Sequence, residues 1–171
     1  MSASLIRSAT PADAAAINSI FNPYIEKSTA TFITEPYTLE QRFAWFDEHQ
    51  DVHPVVVAEC DGAVVGFGAL STFRARSAYA RTAEVSIYVR EDFHRRGIGR
   101  MILGALTARA RVLGHHTIIG VCCSESQASI ALLEAFGFTR AGHLREVGRK
   151  FDRWLDTVIL EQVLADTIRS A

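Results

Sequence analysis

The stretch Glu84-Val-Ser-Ile-Tyr-Val-Arg-Glu-Asp-Phe-His-Arg-Arg-Gly-Ile-Gly-Arg100, continuing into Met-Ile-Leu-Gly-Ala-Leu, sets the reading of the whole chain. Val85, Ile87, Tyr88 and Val89 make a β-rich run, a basic turn carrying Gly97 and Gly99 follows, and behind it apolar residues recur at helical spacing. A strand therefore feeds a helix N-terminus. Such a terminus offers unpaired N–H groups and the positive end of the helix dipole, and the two glycines let an anion approach the main chain closely. The turn reads as a phosphate cradle.

Two familiar phosphate loops are excluded by their own chemistry. A Walker loop needs Lys and then Ser or Thr after its last glycine, and Gly99 is followed by Arg100 and Met101. A dinucleotide fingerprint needs a small residue where Ile102 stands and an acidic residue about 20 positions later.

The chain has 171 residues, 49% of them apolar, which predicts one α/β domain over residues 1–171 with a sizeable core. Its longest apolar runs, such as Ala63 to Leu70, fall far short of the ~20 residues that span a bilayer, and no signal peptide is evident, so a soluble, cytoplasmic protein is expected. Cys60, Cys122 and Cys123 have no metal-ligand spacing and read as buried reduced thiols. The net charge of −1 argues against a nucleic-acid binder. Yet seven of the 18 Lys and Arg residues (Arg74, Arg76, Arg81, Arg90, Arg95, Arg96 and Arg100) fall between positions 74 and 100. One basic region in a neutral chain suits a small polyanion.

Outward from the central stretch, Leu5 and Ile6 suggest a short first strand. Thr10-Pro11 starts an amphipathic helix through Ile17, Ile20, Phe21, Tyr24 and Ile25, broken at most near Pro23. Ser28 to Pro36 is β-prone, and Thr38-Leu-Glu-Gln41 is a capping box opening a helix that ends near His49. Val55 to Leu70 reads as a hairpin turning at Asp61-Gly62, with Gly66 and Gly68 marking a bulge or a close backbone approach. A polar loop, Ser71 to Arg81, precedes the central strand. Beyond it come a helix stopping at Gly114, a strand over His116 to Cys123 and a helix from Ser126 to Phe136 closed by Gly137. A final antiparallel pair, Phe138–Val147 and Trp154–Val163, surrounds a Gly148 to Asp152 turn region.

This order resembles the GNAT acetyltransferase fold from end to end: a single mixed, mostly antiparallel sheet with helices on both faces. Ser28-Thr-Ala-Thr-Phe with Glu35-Pro36, Trp45-Phe46, Pro54-Val-Val-Val-Ala-Glu, Phe73-Arg-Ala-Arg-Ser-Ala-Tyr79, Glu84 to Val89, Gln127-Ala-Ser129 and Val147-Gly-Arg-Lys-Phe-Asp-Arg-Trp-Leu-Asp156 resemble, more narrowly, the phosphinothricin and methionine sulfoximine N-acetyltransferases. The resemblance implies acetyl-CoA as cosubstrate, with Ile87, Tyr88 and Val89 giving main-chain hydrogen bonds to its acetyl and pantetheine arm. Arg95, Arg96, Gly97, Ile98, Gly99 and Arg100 would surround the pyrophosphate and Ser126 would reach toward the cofactor. A main-chain N–H near Val89 would polarise the thioester carbonyl. The resemblance also implies a homodimer in which the segment around Lys150 to Trp154 completes the neighbour's pocket.

Glu84 is the candidate catalytic base, because an ammonium group has no lone pair until a base takes its proton. A buried carboxylate with a raised pKa suits that role; the alternative is a strand glutamate paired with Arg81 or Arg90. Arg74 and Arg76, two apart, point the same way if their segment is extended and would grip the carboxylate or phosphinate of an amino-acid-like amine, with Ser77 and Tyr79 closing the loop. The alternative is solvated loop arginines. Phe32 is either a wall of this pocket or a core aromatic.

Three residues depart from the family pattern. Leu133 stands where Tyr or His is common and would protonate the departing thiolate, Ser126 replaces Asn, and His94 stands where Gln or Arg is commoner. The rival readings are a GNAT enzyme acting on a polyamine or a protein N-terminus, and an acyl-CoA-binding domain without turnover. A base such as Glu84 speaks against a pure binder, and Arg74 and Arg76 speak against a cationic polyamine.

Overall fold

The structure, a computed structural model, describes residues 4–49 and 52–164. Seven strands form one sheet: β1 (Ser4–Ser8), β2 (Val55–Cys60), β3 (Ala63–Thr72), β4 (Thr82–Val89), β5 (Thr117–Cys123), β6 (Thr139–Lys150) and β7 (Arg153–Val163). Their spatial order is β1-β2-β3-β4-β5-β7-β6, with every neighbouring pair antiparallel except β4 and β5. The helices α1 (Ala14–Lys27), α2 (Leu39–Glu48), α3 (Ile98–Val112) and α4 (Gln127–Ala135) cover it, so the mixed sheet with helices on both faces is as expected.

The two faces hold separate cores. On one, Ile98, Ile102, Leu103 and Leu106 of α3 and Ile130 and Leu133 of α4 pack against Val56, Leu70, Val85 and Ile118. The other holds Ile17, Ile20, Phe21 and Ile25 of α1 against Val55, Val57, Phe67 and Ala69. The Asp61-Gly62 turn forms with both residues left-handed (φ 51° and 78°), as a two-residue hairpin turn requires. Gly68 is the close approach foreseen: a Cβ there would lie 2.5 Å from Ile102 Cγ2 and 3.0 Å from the Ser86 carbonyl oxygen. The expected bulge forms beside Gly66: Ala58 and Glu59 of β2 pair with Gly66 and Val64, leaving Val65 of β3 as the extra residue.

The α1–α2 face carries a buried cation. Arg42, 1% exposed, sits within 4.6 to 5.8 Å of the ring centroids of Trp45, Tyr37, Phe21 and Phe67. Its Nε donates to Asn18 Oδ1 at 2.8 Å, while Nη2 is unpaired. Burial pulls its pKa down to about 10. Here aromatic faces take the place of a carboxylate.

As expected, one helix runs through Pro23: α1 is unbroken and begins after a 3₁₀ turn at Pro11–Asp13. Two local expectations need correction. The β-prone Ser28 to Pro36 segment joins no strand. Lys150 reaches into it instead, its Nζ donating to the Ser28 and Thr31 carbonyls, each at 2.8 Å, and these bonds hold the segment in an irregular path. The final turn is also tighter than expected: β6 continues through Gly148 to Lys150, and Phe151 and Asp152 alone turn the chain, both left-handed (φ 51° and 58°). The extra residues are absorbed in an irregularity between Leu144 and Gly148, pinned by Asp156, whose Oδ1 accepts the Glu146 N–H at 2.8 Å.

Candidate active site

The parallel pair β4–β5 is short. Thr82, Ala83 and Glu84 stand opposite Thr117, Ile118 and Ile119, and there the pairing stops. Beyond Glu84, β4 stays with β3 through Val89 while β5 stays with β7 through Cys123. The strands part, and a cavity of about 560 Å³ occupies the opening. Glu84, Ile87, Val89, Arg95, Gly97, Gly99, Cys122, Ser126 and Leu133 are among its lining.

Strand alternation decides which main-chain groups face the opening. Arg90 N–H donates to the Val65 carbonyl at 2.8 Å, continuing the β3–β4 ladder, so Tyr88 pairs with Phe67 in the same sense. Ile87 and Val89 therefore turn their N–H and C=O toward the opening. This corrects one expectation: the Tyr88 main chain belongs to β3, and what Tyr88 supplies is its ring, stacked on Phe67 at 5.4 Å. Burial pushes its hydroxyl pKa up to about 12.

Glu84 has no hydrogen-bond or ion-pair partner among the described residues. Arg81 donates instead to the Gly114 carbonyl and Arg90 pairs with Asp92, so the salt-bridged alternative does not form. Burial raises the Glu84 pKa. Side-chain alternation puts it on the α1–α2 face, while Ala83 and Val85 enter the α3–α4 core.

At the far end of the cavity Gly97, left-handed at φ 82°, caps α3, whose first N–H groups have no partner one turn back. Arg95, Arg96 and Arg100 pair with no carboxylate among the described residues. Arg96 lies over Phe93 at 4.7 Å and Arg100 over Phe136 at 5.2 Å. Main-chain groups that face the opening and lead to a helix N-terminus ringed by arginines without carboxylate partners fit an extended thioester with a pyrophosphate at one end.

The expected acceptor residues are not gathered in this cavity. Arg74, Arg76 and Ser77 are exposed on the loop joining β3 to β4, near the Glu84 end of the strand. The Arg74 guanidinium lies 5.2 Å from the Phe73 ring and 5.7 Å from the Tyr79 ring, and the loop bends at Ala75 and Arg76 before a 3₁₀ turn at Ser77–Tyr79 instead of running as a strand. Phe32 packs on the main chain of Gly148, where a Cβ would lie 2.2 Å from its Cε2. The Lys150 ammonium turns into its own chain, while Phe151 and Trp154 are 50% and 60% exposed.

Cys122 and Cys123 are free and buried, and burial pushes the Cys122 thiol up to about 11. Leu133 covers Gly120, its Cδ1 2.5 Å from where a Cβ would stand. Tyr24, Ala30 and Leu132 also line the cavity, and sequence reading missed them. Tyr24 was absorbed into the apolar stripe of α1, its one signal being a hydroxyl in that stripe.

No helix among the described residues is long and apolar enough to cross a membrane, and none of their His, Cys, Asp and Glu side chains cluster as metal ligands would. The GNAT acetyltransferase domain model matches residues 6–159. The chain is 38% identical to the L-methionine sulfoximine/L-methionine sulfone acetyltransferase of Pseudomonas aeruginosa, over 100% of this chain and 99% of that one. It is 37% identical to the phosphinothricin N-acetyltransferase of Streptomyces viridochromogenes, covering 88% of this chain and 82% of the relative. Among solved structures, the phosphinothricin acetyltransferase of Sinorhizobium meliloti in complex with acetyl-CoA superposes with a TM-score of 0.90 at 32% identity, over 98% of this chain and 99% of that one.

Proposed function

This chain belongs to the GNAT acetyltransferases and is an acetyl-CoA-dependent N-acetyltransferase, and from that premise we propose that it acetylates the α-amino group of a small amino-acid-like compound of the phosphinothricin or methionine sulfoximine type. The observation that carries the reading is the parting of β4 and β5 directly after an unpaired, half-buried Glu84.

Acetyl transfer proceeds by direct attack in a ternary complex. Acetyl-CoA lies along the parted strands, its pyrophosphate at the Gly97–Gly99 turn and its thioester carbonyl polarised by a main-chain N–H of Ile87 or Val89. The acceptor enters from the α1–α2 face. Glu84 takes the ammonium proton, directly or through a water, and the freed lone pair attacks the thioester. Arg74 and Arg76 approach the acceptor's acidic group once the loop folds over it, with Tyr79 and Ser77 alongside. One catalytic domain spans the chain, and the protein works in the cytoplasm as a homodimer. The exposed Phe151 and Trp154, on the hairpin that forms the sheet edge, support that assembly.

The deciding experiment is coenzyme A thiol release with L-methionine sulfoximine and phosphinothricin, beside spermidine and a peptide amine, for the wild type and Glu84→Gln. Turnover on the amino-acid analogues alone, lost in the variant while acetyl-CoA still binds, is the expected result. Faster turnover on spermidine or the peptide would overturn the acceptor class.

A further inference from the structure

Coenzyme A leaves as a thiolate that needs a proton, and Leu133, one of the α4 side chains lining the opening, has none to give. The opposite wall carries a different arrangement. Tyr24 of α1 places its hydroxyl 2.5 Å from the Val89 carbonyl oxygen and 2.8 Å from His94 Nε2, and Nε2 is 2.9 Å from the same carbonyl. A carbonyl only accepts, so the Tyr24 hydroxyl donates to it, and the tyrosine oxygen is left to accept from an Nε2–H. Tyr24 and His94 both line the cavity, Tyr24 half-buried and His94 exposed at the surface. A continuous path of exchangeable protons thus runs from solvent through an imidazole and a phenol to the Val89 main chain, beside which the thioester would lie.

We propose that Tyr24 is the proton donor to the departing coenzyme A sulfur and that His94 reloads it. The proposal rests on the acetyl-transfer reading above. As the amine nitrogen bonds to the carbonyl carbon, the carbon–sulfur bond breaks and its electron pair stays on sulfur, which takes the Tyr24 hydroxyl proton. The tyrosinate then takes the Nε2 proton of His94 as water protonates Nδ1, and exchange with solvent returns the exposed ring to its Nε2–H tautomer before the next turnover. The amine gives up two protons in becoming an amide: Glu84 holds the one lost before attack, and the one lost as the tetrahedral intermediate collapses passes to water, replacing the proton that water gives to His94. Burial raises the Tyr24 pKa, so the hydroxyl holds its proton when the substrates bind. On this assignment the acid has moved from α4 to α1, and the two departures at Leu133 and His94 are one change.

The test uses Tyr24→Phe, which keeps the ring packed on Tyr88, together with His94→Gln and His94→Ala. Thiol release, acetyl-CoA affinity by calorimetry and the thermal midpoint are measured for each. Tyr24→Phe is expected to lower kcat by about 10²-fold or more, the usual yield of a general acid, with acetyl-CoA affinity and melting unchanged. Gln at position 94 keeps a hydrogen bond but carries no proton, so kcat falls about tenfold, and added imidazole restores His94→Ala in proportion to its concentration. Wild-type kcat in Tyr24→Phe overturns the proposal, as does a kcat loss matched by an equal loss of acetyl-CoA affinity. A fully active His94→Gln overturns the reloading step. A wild type that releases no thiol with any amine brings down the acetyl-transfer reading, and this proposal with it; wild-type turnover beside an undiminished Tyr24→Phe brings down the donor alone.

Discussion

Glu84 of β4 stands opposite Ile119 of β5 in the last pair the two strands share, so the carboxylate sits where the sheet opens. Its pKa is raised by burial above the ordinary 4.5. A base must be ionised to act, so the acid limb of kcat/KM is expected above the usual carboxylate range, and Glu84→Gln is expected to lose about 10²-fold or more in kcat at pH values above that limb, the deficit shrinking below it as the wild-type carboxylate takes up its proton. A pH–rate profile checks both.

The same shift makes Glu84 a stability cost at neutral pH. Below 4.5 the folded and unfolded chains both hold the proton; above it the unfolded chain releases its proton first, so stability falls as pH rises through the raised folded value. Glu84→Gln is therefore expected to melt higher than wild type at pH 7 to 8 and equally at pH 4. Equal melting at both values would mean that the carboxylate is not desolvated.

Arg42 is held by rings and by one amide oxygen. Arg42→Ala leaves a cavity and an unpaired Asn18 carbonyl and is expected to cost about 3 kcal/mol or more in urea denaturation. Arg42→Met fills the volume without a charge to desolvate but leaves the same Asn18 oxygen unpaired, and is expected to cost less than the alanine variant, about 1–3 kcal/mol. Equal losses would show that the charge, not the volume, stabilises the face.

Gly68 lies under α3, and the added methyl of Gly68→Ala would meet Ile102, Leu106 and the Ser86 carbonyl. A destabilisation of about 1–3 kcal/mol is expected, since the neighbouring atoms include fixed backbone. Chemical denaturation of this single variant suffices.

Lys150 is 5% exposed and gives two hydrogen bonds to the Ser28–Thr31 segment, of which Ala30 lines the cavity. Lys150→Met leaves both carbonyls unpaired, at an expected cost of about 2–3 kcal/mol. Faster amide exchange at positions 28–33 and a higher KM for the acceptor, with KM for acetyl-CoA unchanged, are the expected signatures.

The features legible in the sequence are those encoded within a few residues. Asp61-Gly62 turns the hairpin because both residues tolerate left-handed φ, Thr38 and Gln41 cap α2 reciprocally, and Gly97 hands β4 to α3. Alternation alone separates Glu84 from the core-facing Ala83 and Val85. Tertiary structure decided the rest, because it joins segments whose separation leaves no local signal. The Ser28 to Pro36 run has strand propensity, but Lys150, more than a hundred positions away, takes its carbonyls first. Nothing local marks Arg42 as buried; the rings that close around it come from α1, α2, β3 and the segment before α2. The cavity exists because β5 follows β7 and β4 follows β3, and that divergence belongs to neither strand alone. Tyr24, Val89 and His94 meet for the same reason: α1 crosses the sheet where β4 ends, a fact of packing that no spacing in the chain records.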